Sequence, residues 1–282
     1  MPYQILDDGL SLHYQIDGLE RGPTLIFSNS LGTNLHMWDA QVEVLRKQFR
    51  ILRYDTRGHA ESGVPTGPAT IDRLGLDLIS LLDRHGIDQT HICGLSLGGL
   101  TAQWVALHHP ARVSRLILAN TAARIGSVES WSTRIDLVQQ GGLAAIRDLA
   151  MGRFFNPSFR AANPAIVAIY AERLLANRVA GYCACCAALR DADLRDAIGQ
   201  IKAPTLVIGS TLDETTPLAQ AHELHSSIPH SQLAILESAH ISNVEQPYTF
   251  TQLIVDWNTH RFADAQYLPG AQSFEFTRSA RQ

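Results

Sequence analysis

The sequence has few cysteines, four in 282 residues. Three of them, Cys183, Cys185 and Cys186, lie within four positions of one apolar, helix-like segment, and Cys93 ends an apolar run. This spacing excludes the disulfide framework of a small secreted domain. A metal site formed by the group of three is an alternative, but neighbouring helical residues point to different faces, and no histidine pair accompanies them. We interpret all four as small buried packing residues and predict no metal site.

The chain also lacks an excess of either charge. Lys and Arg total 23 against 27 Asp and Glu, a net charge of −4 that is dispersed along the sequence. Binding to nucleic acid or to an anionic membrane requires a basic patch, so we expect neither as a partner. Residues 2–8 contain neither the basic region nor the apolar stretch of a secretory signal, and we expect a cytoplasmic protein. The oligomeric state is left open.

What the sequence does contain is a regular alternation of short apolar runs and segments with helical periodicity. The 45% of hydrophobic residues suffices to bury a full core. The first two runs, residues 3–6 and 10–16, flank Asp7-Asp8-Gly9, which predicts an antiparallel hairpin. The alternation that follows predicts a parallel sheet with helices on both faces. The later predicted strands are residues 24–27, 50–54, 90–93, 113–119, 205–208 and 232–236, and predicted helices include residues 74–82, 99–108, 218–228 and 245–260.

The alternation stops between residues 124 and 201, where the sequence predicts only helices: residues 143–154, 164–177 and 179–192. We therefore expect these residues to form a helical cap, a lid inserted between the two halves of one sheet. The halves of the core are residues 1–123 and 202–263. The remaining residues, 264–282, form a C-terminal tail to which we assign no function.

Residues 94–98 read Gly-Leu-Ser-Leu-Gly, between a predicted strand and a predicted helix. A strand, a sharp turn and a helix in this order hold a serine hydroxyl exposed at the end of a parallel sheet. Glycines two residues either side of Ser96 allow the backbone to turn tightly. An ordinary turn is the alternative, because glycine and serine are common in turns, and the rest of the chain must decide between the two.

A serine becomes a strong nucleophile only beside a base, and the base needs a carboxylate to orient it. Asp213 follows a late predicted strand at the sheet edge where ligands bind, and we favour it over its neighbour Glu214, which points elsewhere in an extended loop. His240 follows the last predicted strand, so the chain order is Ser96, Asp213, His240, as this architecture requires. The other histidines of this region belong to a predicted helix and its end, which suits exposure to solvent: His222, His225 and His230.

An acyl-transfer site also needs donors for the oxyanion that forms on the carbonyl oxygen. The backbone N–H of Leu97 follows the serine and is one candidate. The second should come from the loop after the strand at residues 24–27, where we choose Leu31, with Gly32 permitting the turn. The alternative is a simple asparagine-stabilised loop.

Together these residues resemble the α/β-hydrolase superfamily from about Pro2 to Arg261. Residues 55–62 resemble its loop after the fourth strand, with Ala60 where glycine is commoner. Asn29 is a departure, because many members carry histidine there. Three segments resemble the 3-oxoadipate enol-lactonase family: residues 30–33 with Met37-Trp38, residues 120–126 and residues 187–194.

The resemblance implies an α/β-hydrolase fold, with a mostly parallel eight-stranded sheet and a helical cap. It implies hydrolysis of 3-oxoadipate enol-lactone to 3-oxoadipate, in the β-ketoadipate pathway of protocatechuate and catechol breakdown, through an acyl-enzyme. The partner is then a small lactone that carries a carboxylate, and no metal or organic cofactor is needed. In the cap, Trp131 and Arg134 are three residues apart and share a helical face, so we expect Arg134 to pair with the carboxylate and Trp131 to wall the ring. An exposed arginine is the alternative.

The same triad serves other functions, and fold and triad alone do not choose among them. A carboxylesterase or a lactonase of other substrate range is the chief alternative, and cofactor-free haloperoxidase-like enzymes and carbon–carbon bond hydrolases share the triad. A ligand receptor with the same fold is a further alternative. Serine at position 96 argues against haloalkane dehalogenases and epoxide hydrolases, which need a carboxylate there.

Overall fold

One eight-stranded sheet runs through the computed structural model, which describes residues 2–259. The strands lie in the order β1-β2-β4-β3-β5-β6-β7-β8. The pairs β1/β2 and β2/β4 are antiparallel, and all other neighbours are parallel. The predicted hairpin and the mostly parallel sheet are therefore confirmed. The strands are β1 Tyr3–Ile5, β2 Ser11–Gly18, β3 Thr24–Ser28, β4 Arg50–Tyr54, β5 Thr90–Leu95, β6 Val113–Ala119, β7 Thr205–Ser210 and β8 Ser231–Leu236.

Helices cover the sheet and fill the connection between β6 and β7. Several of these helices begin at an N-cap residue whose side chain accepts a backbone N–H. The Thr70 hydroxyl accepts the N–H of Arg73, and Ser127 and Ser130 form a capping box. No helix within residues 2–259 combines the length and hydropathy that a membrane crossing requires. The α-helices are α1 Asp39–Leu45, α2 Ile71–Arg84, α3 Leu97–His108, α4 Val128–Gly141, α5 Arg147–Phe154, α6 Pro157–Ala162, α7 Pro164–Leu175, α8 Val179–Asp191, α9 Leu218–Ser227, α10 Ser242–Glu245 and α11 Pro247–Asn258, with 3₁₀ turns at Leu35–Trp38, Pro110–Arg112, Leu143–Ile146 and Ile198–Gln200.

The five helices α4 to α8 all lie between β6 and β7, which are neighbours in the sheet. We call residues 124–201 the cap and the rest of the described chain the core, and we keep this division as a proposal. The core strands explain the continuous apolar runs of the sequence, because every residue of β3 and β7 is buried. The ends of β3, β5, β6 and β7 thus open toward the cap side, where the predicted site residues follow them in sequence.

Two predicted helices differ from the structure at their starts. The helix expected at residues 245–260 begins only at Pro247, because Pro247 disfavours the helical conformation of the residue before it, and Glu245 ends the separate short helix α10. The helix expected at residues 143–154 begins as the 3₁₀ turn and becomes α-helical only at Arg147. Other boundaries differ by at most three residues. Residues 260–263 of the second core segment and the tail at residues 264–282 lie outside the described residues.

Candidate active site

Ser96 lies in the turn between β5 and α3, in a backbone conformation that side chains rarely adopt, with φ 58° and ψ −117°. The flanking glycines are sterically required. A Cβ atom at Gly94 would overlap the carbonyl of Gly98, and one at Gly98 would overlap the carbonyl of Ser28 at the end of β3. The turn is therefore packed directly against the loop that follows β3.

The two predicted oxyanion donors lie on either side of this contact. Leu97 is the first residue of α3, so its N–H has no acceptor within the helix. Leu31 follows β3, and its N–H has no acceptor among residues 2–259. The loop is held from outside, since the N–H of Gly32 donates to Nε2 of His59 at 3.0 Å and the Asn177 side chain donates to the Gly32 carbonyl at 3.2 Å. Asn177 belongs to the cap, so cap and core both fix this loop.

Asp213 follows β7 and receives His240 from the loop after β8. Nδ1 of His240 lies 2.9 Å from Oδ2 of Asp213, and both side chains are buried. Burial alone would raise the pKa of Asp213, but the charge and hydrogen bond of His240, with hydrogen bonds from Thr216 and Asn120, lower it to about 2. The carboxylate therefore stays ionised and keeps the proton of His240 on Nδ1, which leaves Nε2 as the basic atom.

The alternatives weighed from the sequence lie elsewhere. Glu214 is exposed, beside the buried Asp213. His222 and His230 are exposed, and Nδ1 of the half-buried His225 lies 3.0 Å from the Ser231 hydroxyl at the start of β8.

Asn120 is a site residue that the sequence reasoning missed. It follows β6 with a positive φ of 43°, which asparagine tolerates better than most residues. Its side chain donates to Oδ2 of Asp213 at 2.9 Å and accepts from the Ser242 hydroxyl at 2.5 Å. The available signal was its place at the head of residues 120–126, one of the three segments that carry the resemblance. Its amide thus orients the carboxylate that holds His240.

Ser96 and His240 line one cavity with side chains of the cap. Its volume is about 40 Å³, far below the roughly 300–1,000 Å³ typical of small-molecule sites. The Ser96 hydroxyl makes no hydrogen bond to Nε2 of His240 in this small cavity. Catalytic hydrogen bonds commonly tighten only when substrate is bound, so the arrangement is that of a site which must widen and adjust. The other lining residues are Ser30, Leu31, Trp131, Arg134, Ala150, Arg153, Phe154, Tyr182 and Thr215.

Two half-buried arginines of the cap line this cavity. Nη1 of Arg134 donates to the hydroxyl of Tyr182 at 3.2 Å, and its guanidinium lies 5.9 Å from the centre of the Trp131 ring. Trp131 is itself anchored, because its indole N–H donates to the Ile125 carbonyl at 2.6 Å. Within residues 2–259, no carboxylate lies within 4.0 Å of the guanidinium of Arg134 or Arg153. The cavity therefore offers positive charge that the described chain does not neutralise.

The structure brings the predicted Trp131 and Arg134 into the cavity and adds Arg153, which the sequence reasoning missed. Arg153 lies in α5, a helix of eight residues, and nothing in its local spacing marks it. Only the packing of α5 against the histidine loop places it in the cavity.

The four cysteines lie in the interior of the described chain. All four are buried thiols, and burial raises the pKa of Cys185 to about 12. In the part of the chain that the structure describes, no group of three or more His, Cys, Asp or Glu side chains could hold a metal ion. The four thiols are placed as packing residues.

Comparison of the sequence and structure with those of known proteins identifies the family of this chain. The family model for the alpha/beta hydrolase fold matches residues 23–247. The chain is 44% identical over 245 residues to 3-oxoadipate enol-lactonase 2 of Acinetobacter baylyi, and 36% identical to 3-oxoadipate enol-lactonase 1 of the same organism. Each alignment covers 87% of this chain and 92% of the relative. The crystal structure of the enol-lactonase from Burkholderia xenovorans LB400 superposes with a TM-score of 0.90 at 41% identity, covering 92% of this chain and all of that one.

Proposed function

This chain belongs to the alpha/beta hydrolase family, and from that premise we propose that it hydrolyses 3-oxoadipate enol-lactone to 3-oxoadipate. One observation carries the proposal: Ser96 and His240 share a cavity with two guanidinium groups that have no carboxylate partner in residues 2–259. Such a cavity suits an ester that bears a negative charge. The similarity to two enol-lactonases supports the choice of lactone and its place in the β-ketoadipate pathway.

The first half of the reaction forms an acyl-enzyme. Nε2 of His240 accepts the Ser96 proton as Oγ attacks the lactone carbonyl, and Asp213 stabilises the imidazolium that results. The N–H groups of Leu31 and Leu97 donate to the oxyanion, a contribution of roughly 3–4 kcal/mol for a donor of this kind. Collapse of the tetrahedral intermediate breaks the bond between the carbonyl carbon and the ring oxygen. The ring oxygen leaves as an enol, with the proton supplied by the imidazolium.

The second half releases the product. The enol remains tethered to the acyl group, so ring closure competes until the enol tautomerises to the ketone. His240 then takes a proton from water, and the hydroxide equivalent attacks the acyl-enzyme ester. Oγ of Ser96 regains its proton, and 3-oxoadipate leaves with a new carboxylate.

The cap supplies substrate recognition in this proposal. Arg134 pairs with the carboxylate of the lactone, held in place by Tyr182 and by the face of Trp131. Arg153 adds a second positive group to the same cavity. Trp131, fixed by its bond to the Ile125 carbonyl, walls the ring. Since the cavity is only about 40 Å³ as described, the cap must move outward for the lactone to enter.

A side-by-side assay tests the proposal. The purified chain is given the enol lactone, followed by its ultraviolet absorbance, and separately the neutral ester p-nitrophenyl acetate, with Ser96→Ala as the control. We expect a kcat/KM for the lactone within the usual enzyme range of about 10⁴–10⁸ M⁻¹s⁻¹, and a kcat/KM for p-nitrophenyl acetate at least 100-fold below the value for the lactone. The reverse preference identifies a general carboxylesterase. Values far below the enzyme range for both substrates identify a ligand receptor and reject the proposal.

A further inference from the structure

The cap touches the catalytic-histidine loop through its backbone. The N–H of Ile241 donates to the Phe154 carbonyl at 3.0 Å, and the N–H of His240 donates to the Arg153 carbonyl at 3.4 Å. The Phe154 ring also lies nearly parallel to the His240 ring, with 6.4 Å between the centres. The end of α5 therefore runs alongside the one loop whose imidazole must reach Ser96.

Glu245 joins these two segments. Its Oε1 accepts the backbone N–H of Asn156 at 2.6 Å, and its Oε2 accepts the side-chain amide of Asn156 at 2.7 Å and the backbone N–H of Ala239 at 2.9 Å. Asn156 belongs to the cap, and Ala239 is the residue before His240. One half-buried carboxylate thus holds three donors from two separate parts of the chain.

This carboxylate has no cation beside it among the described residues. Burial raises the pKa of Glu245 above its usual value, although the donors from Ala239 and Asn156 oppose that rise. A buried carboxylate is costly to the fold unless its hydrogen bonds are complete, so any change in their number should be felt by the groups that it holds. Those groups are Asn156 in the cap and the backbone N–H of Ala239, the residue before His240.

We propose that Glu245 is a positioning residue that fixes His240 to the cap, so that the reach of the imidazole toward Ser96 depends on the cap being in place. The inference rests on the roles proposed above for Ser96 and His240. It assigns Glu245 no contact with substrate. It also makes the segment from Arg153 to Asn156 the edge of the cap that stays in place when the rest moves outward.

The variant Glu245→Gln tests the proposal, because it keeps the shape of the side chain and turns one acceptor into a donor that faces another donor. We expect kcat to fall about 10- to 100-fold for the lactone and for p-nitrophenyl acetate alike, with KM changed by less than about 3-fold, since a displacement near 1 Å costs this much. The matched control is Glu237→Gln, an exposed glutamate of the same loop, which should behave as wild type. Purely structural damage would instead lower the amount of folded enzyme and leave kcat per active site unchanged.

A second, milder variant guards against failure to fold. Asn156→Ser removes the amide donor to Glu245 but keeps a good N-cap for α6, where Asn156 now accepts the N–H of Phe159. We expect the same loss of kcat, by a smaller factor of about 3- to 10-fold. In both variants, the downfield proton resonance of the bond between Asp213 and His240 should shift or broaden.

The labelling rate of Ser96 by a fluorophosphonate separates this inference from the proposed function. If wild type labels rapidly but does not hydrolyse the lactone, the proposed substrate is wrong and the positioning role can still be measured. If Glu245→Gln labels as fast as wild type, keeps the wild-type kcat, or changes only in KM, Glu245 does not position His240 and the inference is overturned.

Discussion

The core and the cap contribute different parts of the site by different means. In the core, Ser96, Asp213 and His240 are between 1% and 5% exposed and sit in loops directly after strands β5, β7 and β8. In the cap, Arg134 and Arg153 are half-buried on two different helices. The core positions its groups through tight turns and hydrogen bonds, and the cap positions its groups through packing of one helix on another. In the proposed function, the core therefore supplies the reacting groups and the cap supplies the groups that select the substrate.

Loss of the core carboxylate should give the largest effect, and it should not discriminate between substrates. We expect Asp213→Asn to lower kcat about 10⁴-fold for both the lactone and p-nitrophenyl acetate, because an amide cannot hold the proton of His240 on Nδ1. Steady-state rates of the two substrates check this. A loss for the lactone alone would contradict the division between core and cap.

The same variant carries a pH dependence whose sign is fixed by the lowered pKa of Asp213. The stabilisation by this carboxylate is complete above the unfolded value near 3.8 and disappears as the pH falls through about 2. Wild type should therefore exceed Asp213→Asn by about 2 kcal/mol in the free energy of unfolding at pH 6, with the gap closing below pH 4. Denaturant unfolding at a series of pH values measures this gap. A gap that widens in acid would show that His240 does not stabilise the carboxylate.

Loss of a cap guanidinium should do the opposite and discriminate strongly. We expect Arg134→Met, and separately Arg153→Met, to raise KM for the lactone about 10- to 100-fold while leaving p-nitrophenyl acetate nearly unchanged, since each would remove a positive group from the cavity that we propose binds the substrate carboxylate. Arg160→Met, an exposed arginine of α6, is the control and should match wild type. Equal effects on both substrates would remove that arginine from carboxylate recognition.

The sequence predicted the three core residues Ser96, Asp213 and His240, but of the two cap arginines it predicted only Arg134. Residues 94–98 identified the serine turn because the requirement for two glycines is local to five residues. Asp213 and His240 were predicted because each directly follows a strand. Arg153 was not, because its place in the cavity depends on how α5 lies beside residues 239–241, and no spacing within α5 expresses that contact.

In the fold, too, the sequence predicted some features and missed others. The eight strands were found because buried parallel strands are continuous apolar runs. The start of the last helix at Pro247 could have been predicted, because proline suits the first turn of a helix and disfavours the helical conformation of the residue before it. The role of Asn120 was not predicted, since its hydrogen bond to Asp213 joins residues 93 positions apart.

The contact between cap and core can be tested through two glycines. Gly181 in α8 lies against Gly58, and a Cβ at position 181 would overlap the Gly58 backbone. We expect Gly181→Ala to lower the free energy of unfolding by about 1–3 kcal/mol, seen as a lower Tm. Gly152→Ala is the matched control within the cap, because Gly152 lies in α5 with open space at its Cβ, and it should be neutral or raise stability by about 0.5–1 kcal/mol. Equal effects would show that the two glycines do not form a tight contact.

The smallest expected effect concerns His59, a core residue that holds the loop of Leu31 and Gly32 after β3. Burial lowers the pKa of His59, and its Nε2 accepts the N–H of Gly32 only while the ring is neutral. Its contribution to stability is therefore present above about pH 6.5 and is lost as the pH falls through the lowered value. We expect His59→Gln to cost about 1 kcal/mol at neutral pH and to lose less stability than wild type on acidification. A variant with the same acid sensitivity as wild type would contradict this role.

The insertion of the cap between two adjacent parallel strands has a consequence for how such enzymes diversify. Because β6 and β7 pair with each other whatever connects them, the intervening helices are free to change in length and sequence without shifting the register of the sheet. A graft of another member's cap onto this scaffold should thus preserve hydrolysis and exchange selectivity. The grafted cap must satisfy one requirement. It must contain a residue that donates hydrogen bonds to Glu245, as Asn156 does in this chain.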